Sequence, residues 1–326
     1  MHFELWQHIT VDGQFSHKDT FGKIRDFLSE CKKTKSDPVF DLAPEGFSIQ
    51  HTTAWNSISV LYQQMGFDHS NITLTTCDGS AEFDCMVQNH MMFVDWMHDY
   101  MQNKTMDNGT YTPVNFMHFV GRLSWDRVYM HHIIKTHFAE KSYFRLHGYT
   151  NSKVAQGQCF KDLLEQGFGY EESLEIVSQI QQLPQHNTGN FEKLEKNFNF
   201  PHNVEPLMEY YSNAFVDVVH ETDISENNFF ITEKTLRPML FQRPFIVVGG
   251  KNFLSKLQSI GFRTFAQWWS EDYDLSFGKD RLREIQKLLH RLSHLNVDQM
   301  RSILKDMNEV LQHNYQWLKE KKYKHE

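Results

Sequence analysis

The chain has 326 residues, 40% of them hydrophobic and 23% charged, an ordinary globular composition with room for about two domains. Its formal net charge of −8 argues against a general nucleic-acid binder, because counterion release needs a basic face. No apolar run approaches the roughly 18 residues of a membrane helix, and the opening MHFELWQHIT lacks the basic-then-apolar layout of a signal peptide, so a cytoplasmic location is expected.

Short β-branched or aromatic runs alternate with amphipathic stretches, which predicts an α/β fold. Val39-Phe40-Asp41-Leu42 reads as a strand, followed by the turn Pro44-Glu45-Gly46 and a helix carrying Trp55, Ile58, Leu61 and Tyr62. Ile72-Thr73-Leu74-Thr75 is a second strand that ends at Asp78-Gly79. A third covers 116–120 and stops at Gly121, with a helix over about 125–137, and a fourth covers 143–146. The stretch 151–202 is more helical and polar, so the domain crossover is expected near 150. That divides the chain into a Rossmann-like domain, 1–150, and a second domain with C-terminal helices, 151–326. In the second, 214–219 is a strand, 232–240 a helix and 244–248 a strand closed by Gly249-Gly250. A helix with Phe253, Leu254 and Leu257 stops at Gly261, Arg263-Thr264-Phe265 reads as a short strand, and the remainder is helical on the spacing of Leu282, Ile285, Leu288 and Leu292.

Cys31, Cys77, Cys85 and Cys159 show no CxxC spacing and read as free thiols in a reducing compartment, where the sequons at Asn71, Asn103 and Asn108 carry little weight. Among 19 His, the pair His131-His132 points to different helix faces and no HExxH occurs, so no structural metal is expected. The lysines Lys319, Lys321, Lys322 and Lys324 suit a solvated helix end.

Chemistry is expected beyond the carboxyl ends of the strands. Glu221 lies just past the strand ending at Val219, and Thr232-Glu233-Lys234 opens the next helix. Thr232 is a good N-cap, so the first turn offers free N–H groups and the positive dipole pole. Lys234 makes this a pyrophosphate site, and Glu233 is placed to accept from a ribose diol. Gly121-Arg122-Leu123-Ser124-Trp125-Asp126-Arg127 is a second candidate: Arg122 and Arg127 would neutralise a diphosphate leaving group. Glu45 and Asp78, on turns after the first two strands, are candidate general bases, with Asp126 next in line. Asp272-Tyr273-Asp274 is a D-x-D, the metal-binding pair of GT-A transferases; here it reads as a helix-capping acidic cluster.

His220-Glu221-Thr222-Asp223 followed by Phe229-Phe230-Ile231-Thr232-Glu233-Lys234, then Pro244-Phe245-Ile246-Val247-Val248-Gly249, resembles the donor-binding motif of the fucosyltransferases that use GDP-fucose. The chain as a whole is loosely similar to virus- and phage-encoded glycosyltransferase-like proteins, which would put it in a host cytoplasm. The first resemblance implies a GT-B-like architecture of two Rossmann-like domains facing across a cleft, an acceptor domain, 1–150, and a nucleotide-sugar-binding domain, 151–326. It gives Glu233 to the nucleotide ribose and Lys234 to the diphosphate, with Glu221 orienting the loop that leads to them and Thr222 and Phe230 in the same donor segment. Thr222-Asp223 replaces Asn-Ser, the loop is longer, and Phe230 stands where Tyr is usual, so the sugar is left open. The expectation is a metal-independent glycosyltransferase that moves a sugar from a nucleotide diphosphate sugar, GDP-sugar favoured, to an acceptor hydroxyl on a glycan, lipid, protein or modified nucleobase, with no cofactor. A non-catalytic nucleotide- or glycan-binding protein, or a metal-dependent transferase using Asp272 and Asp274, are the alternatives.

Overall fold

A computed structural model describes residues 1–9, 14–42, 52–76, 85–89, 92–102, 114–121, 123–146, 152–181, 207–222, 224, 226 and 228–320. These fall into two units: the described residues of 1–95 with 228–231, and those of 96–226 with 232–320.

In the first unit, β1 (His2–Phe3), β2 (Val39–Asp41), β3 (Thr73–Thr76) and β4 (Met86–Asn89) form a parallel sheet in chain order. One register row runs Phe3, Phe40, Leu74, Val87 across it. Two helices cover it, α1 (Thr20–Thr34) and α2 (Thr53–Gln64). Ile24, Leu28 and Cys31 recur on one face of α1 at the helical period and are buried, and Lys35 ends the helix in the left-handed conformation (φ 54°). The Thr52 hydroxyl starts α2 by accepting from the Trp55 N–H at 3.3 Å. Phe40, Leu74, Ile24, Leu28, Ile58 and Tyr62 make the core. The unit boundary falls inside α3 (Met92–Gln102).

The second unit is built on β5 (Val114–Val120), β6 (Ser142–Leu146), β7 (Ala214–His220) and β8 (Phe245–Val248), all parallel, in the order β6-β5-β7-β8. Between β5 and β6 runs α4 (Trp125–His137); α5 (Ser152–Glu165), α6 (Tyr170–Gln181) and α7 (Met208–Asn213) precede β7. After it come α8 (Glu233–Leu240), which leads to β8, and then α9 (Phe253–Ser259), α10 (Gly278–Leu292), α11 (Val297–Asp306) and α12 (Asn308–Glu320). Every residue of β7 is buried, as expected of a central parallel strand covered on both faces. Among the described residues, no helix is long and apolar enough to cross a membrane.

Two expectations are corrected. The units do not divide near 150: a boundary there puts β5 and β6 in the first domain, yet Phe116 and Met117 of β5 pair with Val216 and Asp217 of β7. Strand pairing is non-local, and a β-α-β unit looks the same from its own sequence whichever sheet it joins. Arg263-Thr264-Phe265 is no strand, because side chains satisfy its backbone. Asn314 accepts from the Arg263 N–H at 2.8 Å and donates to its carbonyl at 2.9 Å, and Glu271 accepts from the Phe265 N–H at 2.7 Å.

Beneath the β5–β7 seam lie buried histidines. Burial lowers His118 to about 4 and His131 to about 3, and His220 falls well below its ordinary value for the same reason. The unfolded chain protonates these groups near pH 6.5 while the folded one refuses, so stability is present above that pH and is lost as pH falls towards the folded values. The buried carboxyls of Asp217, raised to about 6, and Asp126, also raised by burial, work in the opposite direction and offset part of this loss. Stability measured by urea unfolding is expected to drop from pH 7.5 to 6, with a limiting slope of about 1.4 kcal/mol per pH unit for each histidine. A folded His131→Phe variant should lose one group's share of that slope; a profile that does not change would refute the assignment.

Candidate functional site

The chain runs outward from β5 to β6 and then returns to the other side of β5 as β7, so the carboxyl ends of β5 and β7 flank a topological switch point. Open parallel sheets bind ligands in the crevice at such a point. Gly121 follows β5, Glu221 follows β7, and α4 and α8 begin beside them. The two candidate motifs of the second unit, expected on different domains, therefore share one sheet edge.

Glu221 organises this edge. It has no exposed surface, and its own N–H donates to the Val248 carbonyl of β8 at 2.9 Å. Its carboxylate accepts from the Thr232 N–H at 3.1 Å, the Thr232 hydroxyl at 2.6 Å, the Thr235 hydroxyl, and the Thr222 N–H at 3.3 Å. A carboxylate offers about four acceptor positions, so these donors fill it. The Thr232 hydroxyl also accepts from the Lys234 N–H at 3.2 Å, which caps α8. One buried carboxylate thus fixes the end of β7, the start of α8 and the first residue of the loop between them.

Above this frame stands Lys234, whose ammonium donates to Thr222 Oγ1 at 3.1 Å, Thr232 Oγ1 at 3.2 Å and Glu233 Oε1 at 2.8 Å. Burial works to raise the Glu233 carboxyl, but the charges of Lys234 and Arg237 outweigh it and hold the group below its ordinary range. Glu233 is therefore ionised at neutral pH.

Arg127 has a different place from the one expected. It is buried, and its Nη2 donates to the Glu221 carbonyl at 2.9 Å, tying α4 to the end of β7 across the switch point. Its role is to support Glu221 from below. Asp126, the reserve candidate for a general base, is also buried, 3.5 Å from His220 Nε2, and burial raises its carboxyl. A group so enclosed does not take a proton from an acceptor in solvent. Phe230 belongs to the first unit, where it is buried and meets the Phe93 ring edge-on at 5.7 Å. Glu45, Asp78 and Arg122 lie outside the described residues, as do Cys77 and Asp223. Sequence reasoning missed Thr235, which completes the Glu221 cluster; its signal was a second hydroxyl three residues after the N-cap, on the same helix face.

Asp274 has a structural task. Its Oδ2 accepts from the Leu254 N–H at 2.9 Å and the Ser255 N–H at 3.3 Å at the start of α9, while its Oδ1 pairs with the buried Arg281 at 2.7 Å. Arg281 in turn donates to the Gly250 carbonyl at 2.7 Å, next to β8. Asp272 accepts from the Ser270 hydroxyl at 2.6 Å on the surface. The two carboxylates of the D-x-D therefore serve separate local contacts, in keeping with the capping reading. Among the described residues, no group of three or more His, Cys, Asp or Glu is arranged to hold a metal ion.

The chain matches no protein-family model, no curated protein and no solved structure.

Two substitutions check these roles. Glu221→Gln places an amide N–H₂ among donors and should cost about 1–3 kcal/mol in urea unfolding, the range for a buried group left unsatisfied. Asp274→Ala strands a buried guanidinium and should cost about 3–5 kcal/mol, whereas Asp272→Asn is expected to be near neutral. The reverse order for Asp272 and Asp274 would contradict the structural assignment.

Proposed function

We propose that the chain is a glycosyltransferase that uses a nucleotide diphosphate sugar, with its donor site at the switch point of the second unit. The observation that carries this reading is the Glu221 clamp. A fully satisfied buried carboxylate holds a capped helix N-terminus and a lysine rigidly beyond the carboxyl end of a central parallel strand. That arrangement suits a diphosphate, because the N-terminus of α8 and the Lys234 ammonium are both held at Thr232, beyond the end of β7. The resemblance of 220–234 to the GDP-fucose-using fucosyltransferases supports a nucleotide sugar as donor, with a GDP-sugar favoured.

In this reading the departing nucleoside diphosphate gathers negative charge as the glycosidic bond breaks. Lys234 and the first turn of α8 stabilise it from a preorganised position. A carboxylate of the first unit, Glu45 or Asp78, removes the acceptor proton, and the organisation is GT-B-like, with donor and acceptor on separate Rossmann-like units. No step requires Asp272 or Asp274.

Calorimetric titration with GDP, UDP, CDP and ADP is the direct test, followed by assay of nucleoside diphosphate released from the matching sugar donor. One of the four is expected to bind, and Lys234→Ala should weaken it by about 1.5–3 kcal/mol, the range for a charge-assisted hydrogen bond. If none binds the wild type, the proposal fails. Turnover is expected to survive EDTA. Glu45→Gln or Asp78→Asn should lower it by about a hundred- to ten-thousand-fold while donor affinity stays intact; full activity in both variants would move the base elsewhere.

A further inference from the structure

At the far end from the switch point, α4 and α10 finish side by side, and exposed histidines stand on both ends. His137 is the last residue of α4, and His290 lies in the last turn of α10. The backbone beneath them is fixed. Asn115 of β5 donates to the Leu292 carbonyl at 3.1 Å, and Lys141 donates to the Ser293 carbonyl at 2.7 Å. The buried Phe138 ring packs edge-on against His290 at 4.9 Å.

The ring centres of His137 and His290 are 5.3 Å apart, with the planes tilted by 55°. A tetrahedral zinc ion about 2.0–2.1 Å from each nitrogen, with each ring centre about 1.1 Å further on, separates two imidazole centres by about 5.2 Å. A square-planar ion, with neighbouring ligands at right angles, would bring the centres to about 4.5 Å. The observed separation fits the tetrahedral case. Turning either ring about its Cβ–Cγ bond presents one nitrogen or the other and barely moves the centre, because that axis runs through the ring. Both rings are exposed, and among the described residues neither spends a nitrogen on a hydrogen bond.

Burial, then the nearby His137 and His294, hold His290 below its ordinary value, so its imidazole is neutral near pH 7, the form that binds a metal. Two helix C-termini also meet here, and their negative dipole ends favour a cation.

We propose that His137 and His290 form a zinc-binding site that links the end of α4 to the end of α10. Among the described residues, no group of three or more His, Cys, Asp or Glu is arranged to hold an ion. The zinc therefore has two protein nitrogens and completes its shell with water. Because α4 starts at the switch point and is 13 residues long, the ion lies about 20 Å from the donor site and takes no part in its chemistry.

The test is calorimetry of the full chain, without an affinity tag, titrated with Zn²⁺ alone. Wild type should bind one ion at least about tenfold more tightly than His137→Gln or His290→Gln, since losing even a hydrogen-bond partner of a ligand costs about that much. His294→Gln, four residues past His290, should bind as wild type does. Saturating Zn²⁺ should also raise the unfolding midpoint of wild type and leave the His137→Gln/His290→Gln double variant unmoved, because an ion bound only by the folded chain stabilises it. Both positions are exposed, so the metal-free midpoints of the variants should equal that of wild type. The proposal is overturned if wild type binds no Zn²⁺, or if the single variants bind it as wild type does. It is overturned equally if His294→Gln and His290→Gln lose affinity while His137→Gln does not, which would place the ion on one helix end alone.

Discussion

A carboxylate taken out of water is costly unless protein donors replace the lost hydration, and Glu221 meets that requirement with four of them. Three come from Thr232 and Thr235, eleven and fourteen residues further along the chain. Satisfying one side chain therefore dictates where the chain returns after the loop, where α8 starts, and which way its first N–H groups face. The Glu221 backbone is held as firmly, by Val248 on one side and Arg127 on the other. Moving any of these elements would expose an unmet polar group in the interior, so the site geometry and the stability of the second unit are aspects of one network.

The sheet order gives that network its place. With β7 beside β5 and β6 on the far side, the ends of two central strands open towards two different helix starts. Buried polar residues gather along this seam: His118 on β5, His220 and Glu221 at the end of β7, and Asp126 and Arg127 at the start of α4. The first half of β7 differs, with Phe215 and Val216 packed into the core. His118 donates its Nδ1 proton to the Val218 carbonyl at 2.9 Å in the neutral form that burial favours. Polar groups placed so deep weaken a core; their concentration beneath one sheet edge matches the rule that sequences depart from ideal packing where function asks for it.

Much of this was legible in the sequence. The β-branched runs at Val39, Ile72 and Ala214 each gave a strand, and Thr232-Glu233-Lys234 gave a capped helix start, because those signals are local. The division of the chain was not legible, since nothing within 114–146 reveals that β5 will pair with a strand about a hundred residues away, as the bond from His118 to Val218 does. Arg127 illustrates the same limit at the scale of a side chain. Its position on a strand-to-helix loop suggested a phosphate ligand, while its burial and its bond to the Glu221 carbonyl make it a support. The residue type was a sound guide to chemistry in general; the partner, fixed by tertiary structure, decided the role.

Glu233 and Lys234 cancel each other in a count of charges, and the structure shows them cancelling in space as well, at 2.8 Å. Among the described residues, the α8 side of the switch point therefore carries no uncompensated ammonium. What it offers is a set of oriented donors on a rigid frame, the α8 N-terminus and the lysine, both positioned through Thr232. Attraction at long range is weak in such a site, and screening by salt affects it little. Under the proposed reading, discrimination arises at contact, from how completely a ligand replaces the partners it displaces.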